Sequence, residues 1–223
     1  MVNPYKTSPN YDQTKSAPFT GLTILALVSV LTLVAGIIAR LHRLWVVVYL
    51  GINYYSYSVS QQSGQLAIEI IQFLPALVSF PCFVVWSYIS HRHLRNRFAQ
   101  SELYQHWLGI LGYVIPVVSL FMPYLYIREL YECYRDVSTD MDFSKPPLVR
   151  PAILLWWVFT FLSFTMINID AFIMESQGSL IPEFDGAQTF FSILSNIAVI
   201  YVIYGIEQCR RYALITLEPI KHL

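Results

Sequence analysis

Histidine has the widest range of chemistry of any side chain in this sequence, because imidazole binds metals and haem and transfers protons near neutral pH. His91 and His93 are two residues apart, a spacing that points them to different sides of a helix. His106 is the other histidine nearby, and a haem iron would need two histidines inside facing helices rather than at their ends. We therefore expect no metal and no cofactor, and we predict that His91 and His93 lie in a solvated collar at the membrane surface.

No pattern typical of a catalytic nucleophile, a Gly-rich phosphate loop or a zinc protease occurs in the sequence. A lipid-handling enzyme would need a convergent acid–base set, for which His91, His93 and Glu102 are the candidates. We predict instead a protein without a catalytic centre. The cysteines are too widely spaced to suggest a metal-binding pair, and we predict that all three are small buried apolar residues: Cys82, Cys133 and Cys209.

The elements that must position these side chains are membrane helices. Hydrophobic residues make up 56% of the 223 residues and charged residues 13%, about half the roughly 25% charge of soluble domains. Residues 21–39 form nineteen consecutive uncharged positions, close to the ~20 that cross a bilayer. The formal net charge of zero gives no indication of a nucleic-acid partner. The predicted fold class is all-α, a polytopic membrane helix bundle.

Four segments are predicted to cross the membrane: 19–40, 66–89, 151–174 and 185–207. Residues 1–18 are polar and are predicted to form a flexible tail, followed by a single membrane helical domain over 19–215. Residues 216–223 form a short C-terminal tail. The tyrosine-rich segment 44–64 is predicted to lie at one interface, although its first part could instead prolong the first helix.

The apolar stretch 107–126 allows two interpretations, because prolines interrupt it. It either dips into the membrane and returns to the same side, which gives four spans, or crosses completely, which gives five. Broken helices of this kind often line substrate or ion sites in transport proteins. The residues that would break the helix or line such a site are Gly112, Pro116, Ser119 and Pro123.

An amphipathic pattern follows this stretch. The apolar stripe consists of Ile127, Leu130, Tyr131 and Tyr134. The remaining positions carry charges: Arg128, Glu129, Glu132 and Arg135. This spacing predicts an interfacial helix, which either anchors the chain in the membrane surface or offers a docking face to a partner.

Positive charge distinguishes the two topologies, since Lys and Arg are retained on the cytoplasmic side. If the third stretch returns, twelve of the fourteen Lys and Arg residues share the side of both termini, and only Arg40 and Arg43 face outward. If it crosses, the side of the N-terminus no longer holds the majority of these residues. We therefore predict four spans with both termini in the cytoplasm, while the apolar character of 107–126 taken alone favours five.

Three ionisable residues lie near the predicted outer interface: Arg40, Glu69 and Asp170. Carboxylates at such a depth are costly unless they are paired, so we predict that Arg40 pairs with Glu69 or Asp170. The alternative is that each side chain reaches water among the lipid headgroups. A basic collar follows the second span and is predicted to determine topology by contacting anionic headgroups. Its members are Arg92, Arg95 and Arg97.

The middle of the chain resembles a bacterial membrane family catalogued as domain of unknown function 4328. The similarity lies in Trp86-Ser87-Tyr88, His93-Leu94-Arg95, the run from Trp107 to Pro123, Ile127-Arg128-Glu129-Leu130, Trp156-Trp157 and Asn168. It covers roughly residues 66–212. Ser119 and His93 stand where the family often has asparagine. The resemblance implies a bacterial multi-span protein and assigns no reaction, substrate or cofactor.

These observations predict a non-catalytic membrane protein, an accessory, scaffolding or sensing module that acts through partners. The alternative is a transport or channel-like protein that uses the broken helix around Pro116 and Pro123. The expected partners are the lipid bilayer and other membrane proteins or further copies of this chain. The expected location is the bacterial inner membrane.

Overall fold

A computed structural model describes residues 19–50, 62–98, 112–113, 121–138, 148–177 and 182–215. Within these ranges the chain forms five long α-helices and no strand. The helices are α1 (Phe19–Leu50), α2 (Gln62–Phe98), α3 (Met122–Ser138), α4 (Val149–Gln177) and α5 (Pro182–Ile215). The all-α class predicted from the sequence is confirmed.

Four of the five helices contain a segment long and apolar enough to cross a membrane. The segments are Gly21–Trp45, Phe73–Leu94, Val149–Ile169 and Gly186–Tyr212. They lie in α1, α2, α4 and α5 and overlap the four predicted spans. α1 continues past Arg40 to Leu50, so the first part of the segment 44–64 prolongs the first helix. Residues 51–61 lie outside the described ranges.

The four apolar helices expose large hydrophobic side chains along their length. Examples from each helix are Leu31 and Ile38, Phe73 and Leu77, Phe161 and Phe164, and Phe190 and Ile197, all between 44% and 63% exposed. A soluble protein rarely leaves so much apolar surface in water. Hydrocarbon chains cover such surface without cost, so this pattern is that of a helical membrane bundle.

The described residues form two compact units. The first unit contains the start of α1 up to Val28, the end of α2 from Pro81, all of α3, the start of α4 up to Ile153 and the end of α5 from Tyr201. The second unit contains the remaining parts of α1, α2, α4 and α5. Hereafter these are unit 1 and unit 2.

Unit 2 is held together partly by small hydroxyl side chains between α4 and α5. Thr160 Oγ1 lies 2.8 Å from Ser195 Oγ, and Ser163 Oγ lies 2.7 Å from Ser192 Oγ. Hydrogen bonds of this kind join helices in membranes, typically with about 0.6 kcal/mol each. The pairs stand about one helical turn apart, so they fix the register of α4 against α5.

Candidate functional site

The end of α2 that belongs to unit 1 turns one face inward. The buried positions recur every three or four residues: Phe83, Trp86, Ser87, Ser90, His91 and Leu94. This is the spacing of one face of a helix. The face is unusual because it mixes apolar side chains with an indole N–H, two hydroxyls and an imidazole. Each of these polar groups needs a partner in the interior.

A buried ion pair lies opposite Trp86 on α5. Glu207 is 6% exposed and Arg210 is 1% exposed, and the guanidinium donates to both carboxylate oxygens. Trp86 Nε1 donates to Glu207 Oε1 at 2.8 Å. Arg210 also donates to Thr23 Oγ1 of α1 at 3.0 Å. One carboxylate and one guanidinium therefore connect α1, α2 and α5, and each charge is compensated.

His91 marks the contact of α2 with α3. Its ring is completely buried and stacks on Tyr126, with ring centroids 4.0 Å apart and an interplanar angle of 16°. His91 Nε2 lies 3.1 Å from Glu129 Oε2, a close contact without the angles of a hydrogen bond. The prediction of a solvated position is wrong for His91, because α3 packs over the end of α2 and covers the ring.

The residues of the predicted collar beyond the second span therefore differ in exposure. His93 is half-buried, with Nδ1 3.4 Å from Tyr134 Oη. Tyr134 is buried, and its hydroxyl lies 3.3 Å from the backbone oxygen of Ser90. Arg92 is exposed. The side chains of Arg95 and Arg97 lie outside the described residues.

The apolar stripe of α3 packs entirely within unit 1. Ile127, Leu130, Tyr131 and Tyr134 are each no more than 3% exposed. The predicted amphipathic helix is present. Its apolar face is available neither to the bilayer nor to a partner, because other helices of this chain cover it. Burial also raises the pKa of Tyr126, next to the stripe, and the neighbouring Tyr113, Glu129 and Tyr88 act in the same direction.

The opposite face of α3 carries a charged row, formed by Arg128, Glu132, Arg135 and Asp136. Arg128 Nε donates to Glu132 Oε1 at 2.9 Å, and Arg150 of α4 reaches the same oxygen at 2.9 Å. Arg135 donates to Asp136 Oδ1 at 2.7 Å, with its guanidinium 5.9 Å from the centre of the Tyr131 ring. These groups are all 28% to 52% exposed, so the row is a solvent-facing network of paired charges.

Glu132 gives the charged row a pH dependence. Its burial opposes ionisation, but Arg128, Arg150 and Arg135 outweigh it and hold the pKa of the carboxyl below its ordinary value. A lowered pKa in the folded state stabilises the protein above the unfolded value of about 4.3, and this contribution is lost as pH falls through the folded pKa. We expect Glu132→Gln to remove part of the loss of thermal stability between about pH 5 and 3, measured by thermal unfolding in detergent micelles. An unchanged pH profile would contradict this.

Cys133 gives a second prediction about α3. Burial, then Glu129, Asp136 and Glu132, raise the pKa of its thiol to about 12, whereas a free cysteine has a pKa of about 8.5. Only the thiolate is alkylated readily. We expect Cys133 to resist iodoacetamide at pH 8 in folded protein and to react after denaturation, as detected by mass spectrometry. Rapid labelling in the folded state would show that α3 is detached from unit 1.

The described residues around the broken-helix segment include Gly112 and Met122. A methyl group added at Gly112 would lie 2.8 Å from Met122 Cβ, so the two residues are in close contact. In a straight helix, residues ten positions apart are about 15 Å apart, so Gly112 and Met122 do not belong to one straight helix. Pro123 lies in the first turn of α3, where a missing N–H costs nothing. Pro116 and Ser119 lie outside the described residues.

Arg40 lies in unit 2, half-buried, beside α2 and α5. A methyl group added at Gly36 would lie 3.2 Å from an Arg40 terminal nitrogen, 3.4 Å from Asn196 Nδ2 and 3.5 Å from Pro75 Cβ. The side chains of Glu69 and Asp170 lie outside the described residues, so the predicted pairing of Arg40 stays a prediction. Gly36 is buried and gives the guanidinium room beside its own helix.

Sequence reasoning missed the Glu207–Arg210 pair, which lies at the end of the last predicted span, 185–207. The available signal was the spacing of three, which puts a carboxylate and a guanidinium on the same face of a helix. Two further observations, the partnership with Trp86 and the burial, needed the structure. Trp86 and Glu207 are 121 positions apart, and no sequence pattern joins them.

No curated protein and no solved structure matches the chain significantly. The family described as Domain of unknown function (DUF4328) matches residues 51–212, which is most of the 223 residues. The match includes Trp86, all of α3 and the Glu207–Arg210 pair. The chain belongs to the DUF4328 family.

Proposed function

We propose that this chain is a non-catalytic protein of the bacterial inner membrane that works through protein partners, as an accessory, scaffolding or sensing subunit. The observation that carries the proposal is the construction of α3. This helix is not one of the four candidate membrane spans. Its apolar stripe is nevertheless buried in unit 1, and its charged row faces outward. A helix fixed in this way displays charges in a constant geometry.

The packing of α3 supports a docking role because contacts on both of its faces hold the helix in place. Tyr126 stacks on His91, and Tyr134 reaches the backbone of Ser90, so two turns of the helix are tied to α2. Arg150 ties the outer face to α4. Charges held in one geometry distinguish partners by electrostatic complementarity, whereas charges on a mobile helix would adapt to many.

The proposed topology puts the charged row and both termini in the cytoplasm. Two observations support it. Gly112 and Met122, ten positions apart in the sequence, lie in close contact, as a chain that returns would require. The four-span arrangement also keeps twelve of fourteen Lys and Arg residues on one side, as the distribution of positive charge in membrane proteins requires.

The test is photocrosslinking in native membranes. A photoreactive amino acid at Arg135, in the charged row, is expected to give one adduct of constant mass shift. The same amino acid at Phe164, which is 59% exposed on an apolar helix, serves as the control for contact with lipid. We expect lipid adducts and no discrete protein adduct at Phe164.

Charge reversal makes the test specific. The variant Arg135→Glu places a negative charge beside Asp136, and a probe at Arg128 in this variant is expected to lose most of its protein adduct. Equal crosslinking at Arg128 with and without the reversal would contradict docking through the charged row. Absence of a discrete adduct at both α3 positions in native membranes would contradict the proposed function.

A further inference from the structure

We infer that Arg128 and Arg150 form a binding site for the phosphate of an anionic phospholipid. The inference does not rest on the proposed function. It takes Arg128 from one end of the charged row together with Arg150 of α4, and it leaves Arg135 and Asp136 to a protein partner. The two side chains come from different helices and meet at one atom, Glu132 Oε1, at 2.9 Å each. The cluster therefore holds two positive charges and one negative charge.

The geometry leaves donors available for a second anion. Arg128 binds Glu132 through Nε and makes a further hydrogen bond with Tyr124, and Arg150 uses one terminal nitrogen in binding Glu132. Each guanidinium has five N–H donors. The side chains of Arg128 and Arg150 are 46% and 52% exposed, so the remaining donors reach solvent. Arginine binds phosphate oxygens with pairs of parallel N–H groups. Because one carboxylate holds both arginines close together, both can contact the same phosphate.

The position of Arg150 at the start of α4 favours a lipid phosphate over a soluble phosphate. The apolar segment of α4 begins at Val149, so Arg150 stands at the first turn of a span, where lipid headgroups lie. Leu148, beside it, is 73% exposed, an apolar side chain suited to the adjoining acyl chains. The charges of half-exposed arginines are screened by salt, so a soluble phosphate binds weakly. A lipid is already concentrated at this level by its acyl chains.

The test compares lipids in thermal unfolding. The full chain in a neutral detergent is expected to gain at least about 3 °C more from phosphatidylglycerol than from phosphatidylcholine at equal mole fraction, because a ligand of the folded state stabilises it. Arg150→Gln is expected to remove more than half of that difference, since the Arg128–Glu132 pair of the same helix remains. Arg211→Gln, which removes an exposed arginine of α5 in the same unit, is expected to keep it.

Three outcomes would overturn the inference. Equal stabilisation by both lipids would show no preference for the anionic headgroup, and an equal loss in Arg211→Gln would show a diffuse charge effect. Inorganic phosphate or glycerol phosphate matching the lipid at the same concentration would assign the site to a soluble anion. If Arg150→Gln unfolds too readily for this measurement, native mass spectrometry of its folded fraction counts the phosphatidylglycerol molecules that each chain retains. We expect this number to be one lower than in the unaltered protein, and an equal number would overturn the inference.

Discussion

Replacing Arg210 with alanine is expected to destabilise the protein more than any other single truncation in unit 1. The change leaves Glu207 as an unpaired carboxylate that is 6% exposed, and it removes the donor to Thr23. Breaking one half of a buried ion pair typically costs about 3–5 kcal/mol. Unfolding in micelles, followed by the fluorescence of tryptophan, measures the effect directly because Trp86 donates to the same carboxylate.

A double variant separates charge from packing. Glu207→Gln with Arg210→Met removes both charges and keeps most of the volume, so it is expected to be clearly more stable than Arg210→Ala. Because the two residues contact each other, their effects are not additive. If the double variant lost as much free energy of unfolding as Glu207→Gln and Arg210→Met lose together, the two charges would not interact. The connection between α1, α2 and α5 would then rest on apolar packing alone.

Replacing Gly205 with alanine is expected to disrupt the contact between α5 and α4. A methyl group at this position would lie 2.2 Å from Val149 Cγ2, far inside the contact distance of two carbon atoms. Val149 is completely buried at the start of α4, so it has no free space to enter. Overpacking of this kind typically costs about 1–3 kcal/mol, measured as a lower unfolding temperature.

The same substitution elsewhere on α5 provides the control. Gly186 has no atom within 4 Å of the added methyl group, and alanine in an open helical position is stabilising by up to about 1 kcal/mol. Gly186→Ala is therefore expected to be neutral or slightly stabilising. Val149→Ala in the Gly205→Ala background is expected to restore part of the loss. Equal losses in both glycine variants would contradict a specific helix contact at Gly205.

The spans and the two faces of α3 follow from the sequence for a physical reason. A membrane helix needs a long uncharged segment, and residues 21–39 satisfy that need by composition alone. The stripe of α3 repeats with the period of a helix, so the spacing of Leu130 and Tyr134 is enough to put them on one face. Both side chains are buried. What covers them was not predictable, because the cover comes from other helices.

The interior of unit 1 could not be predicted because its polar contacts join residues far apart in the sequence, such as Trp86 and Glu207. His91 stands beside Arg92 in a basic stretch of the sequence, which predicts a solvated position, but the packing of Tyr126 of α3 against its ring buries it. Arg210 and Arg211 are adjacent in the sequence, yet Arg210 is 1% exposed and Arg211 is exposed. Helical rotation of about 100° per residue separates the two. Which of the pair points inward depends on the packing of α5 against Trp86.

The central claim is that the stretch 107–126 returns to the side from which it started, so that α3 and both termini share the cytoplasm. Single cysteines at Ser144 and Ser179 test it most directly, in a background from which the three native cysteines have been removed. The two positions lie on either side of α4. In intact cells, a thiol reagent that cannot cross the membrane is expected to label Ser179→Cys and to leave Ser144→Cys unlabelled. Labelling at Ser144→Cys with protection at Ser179→Cys would mean five spans, with the charged row outside the cell.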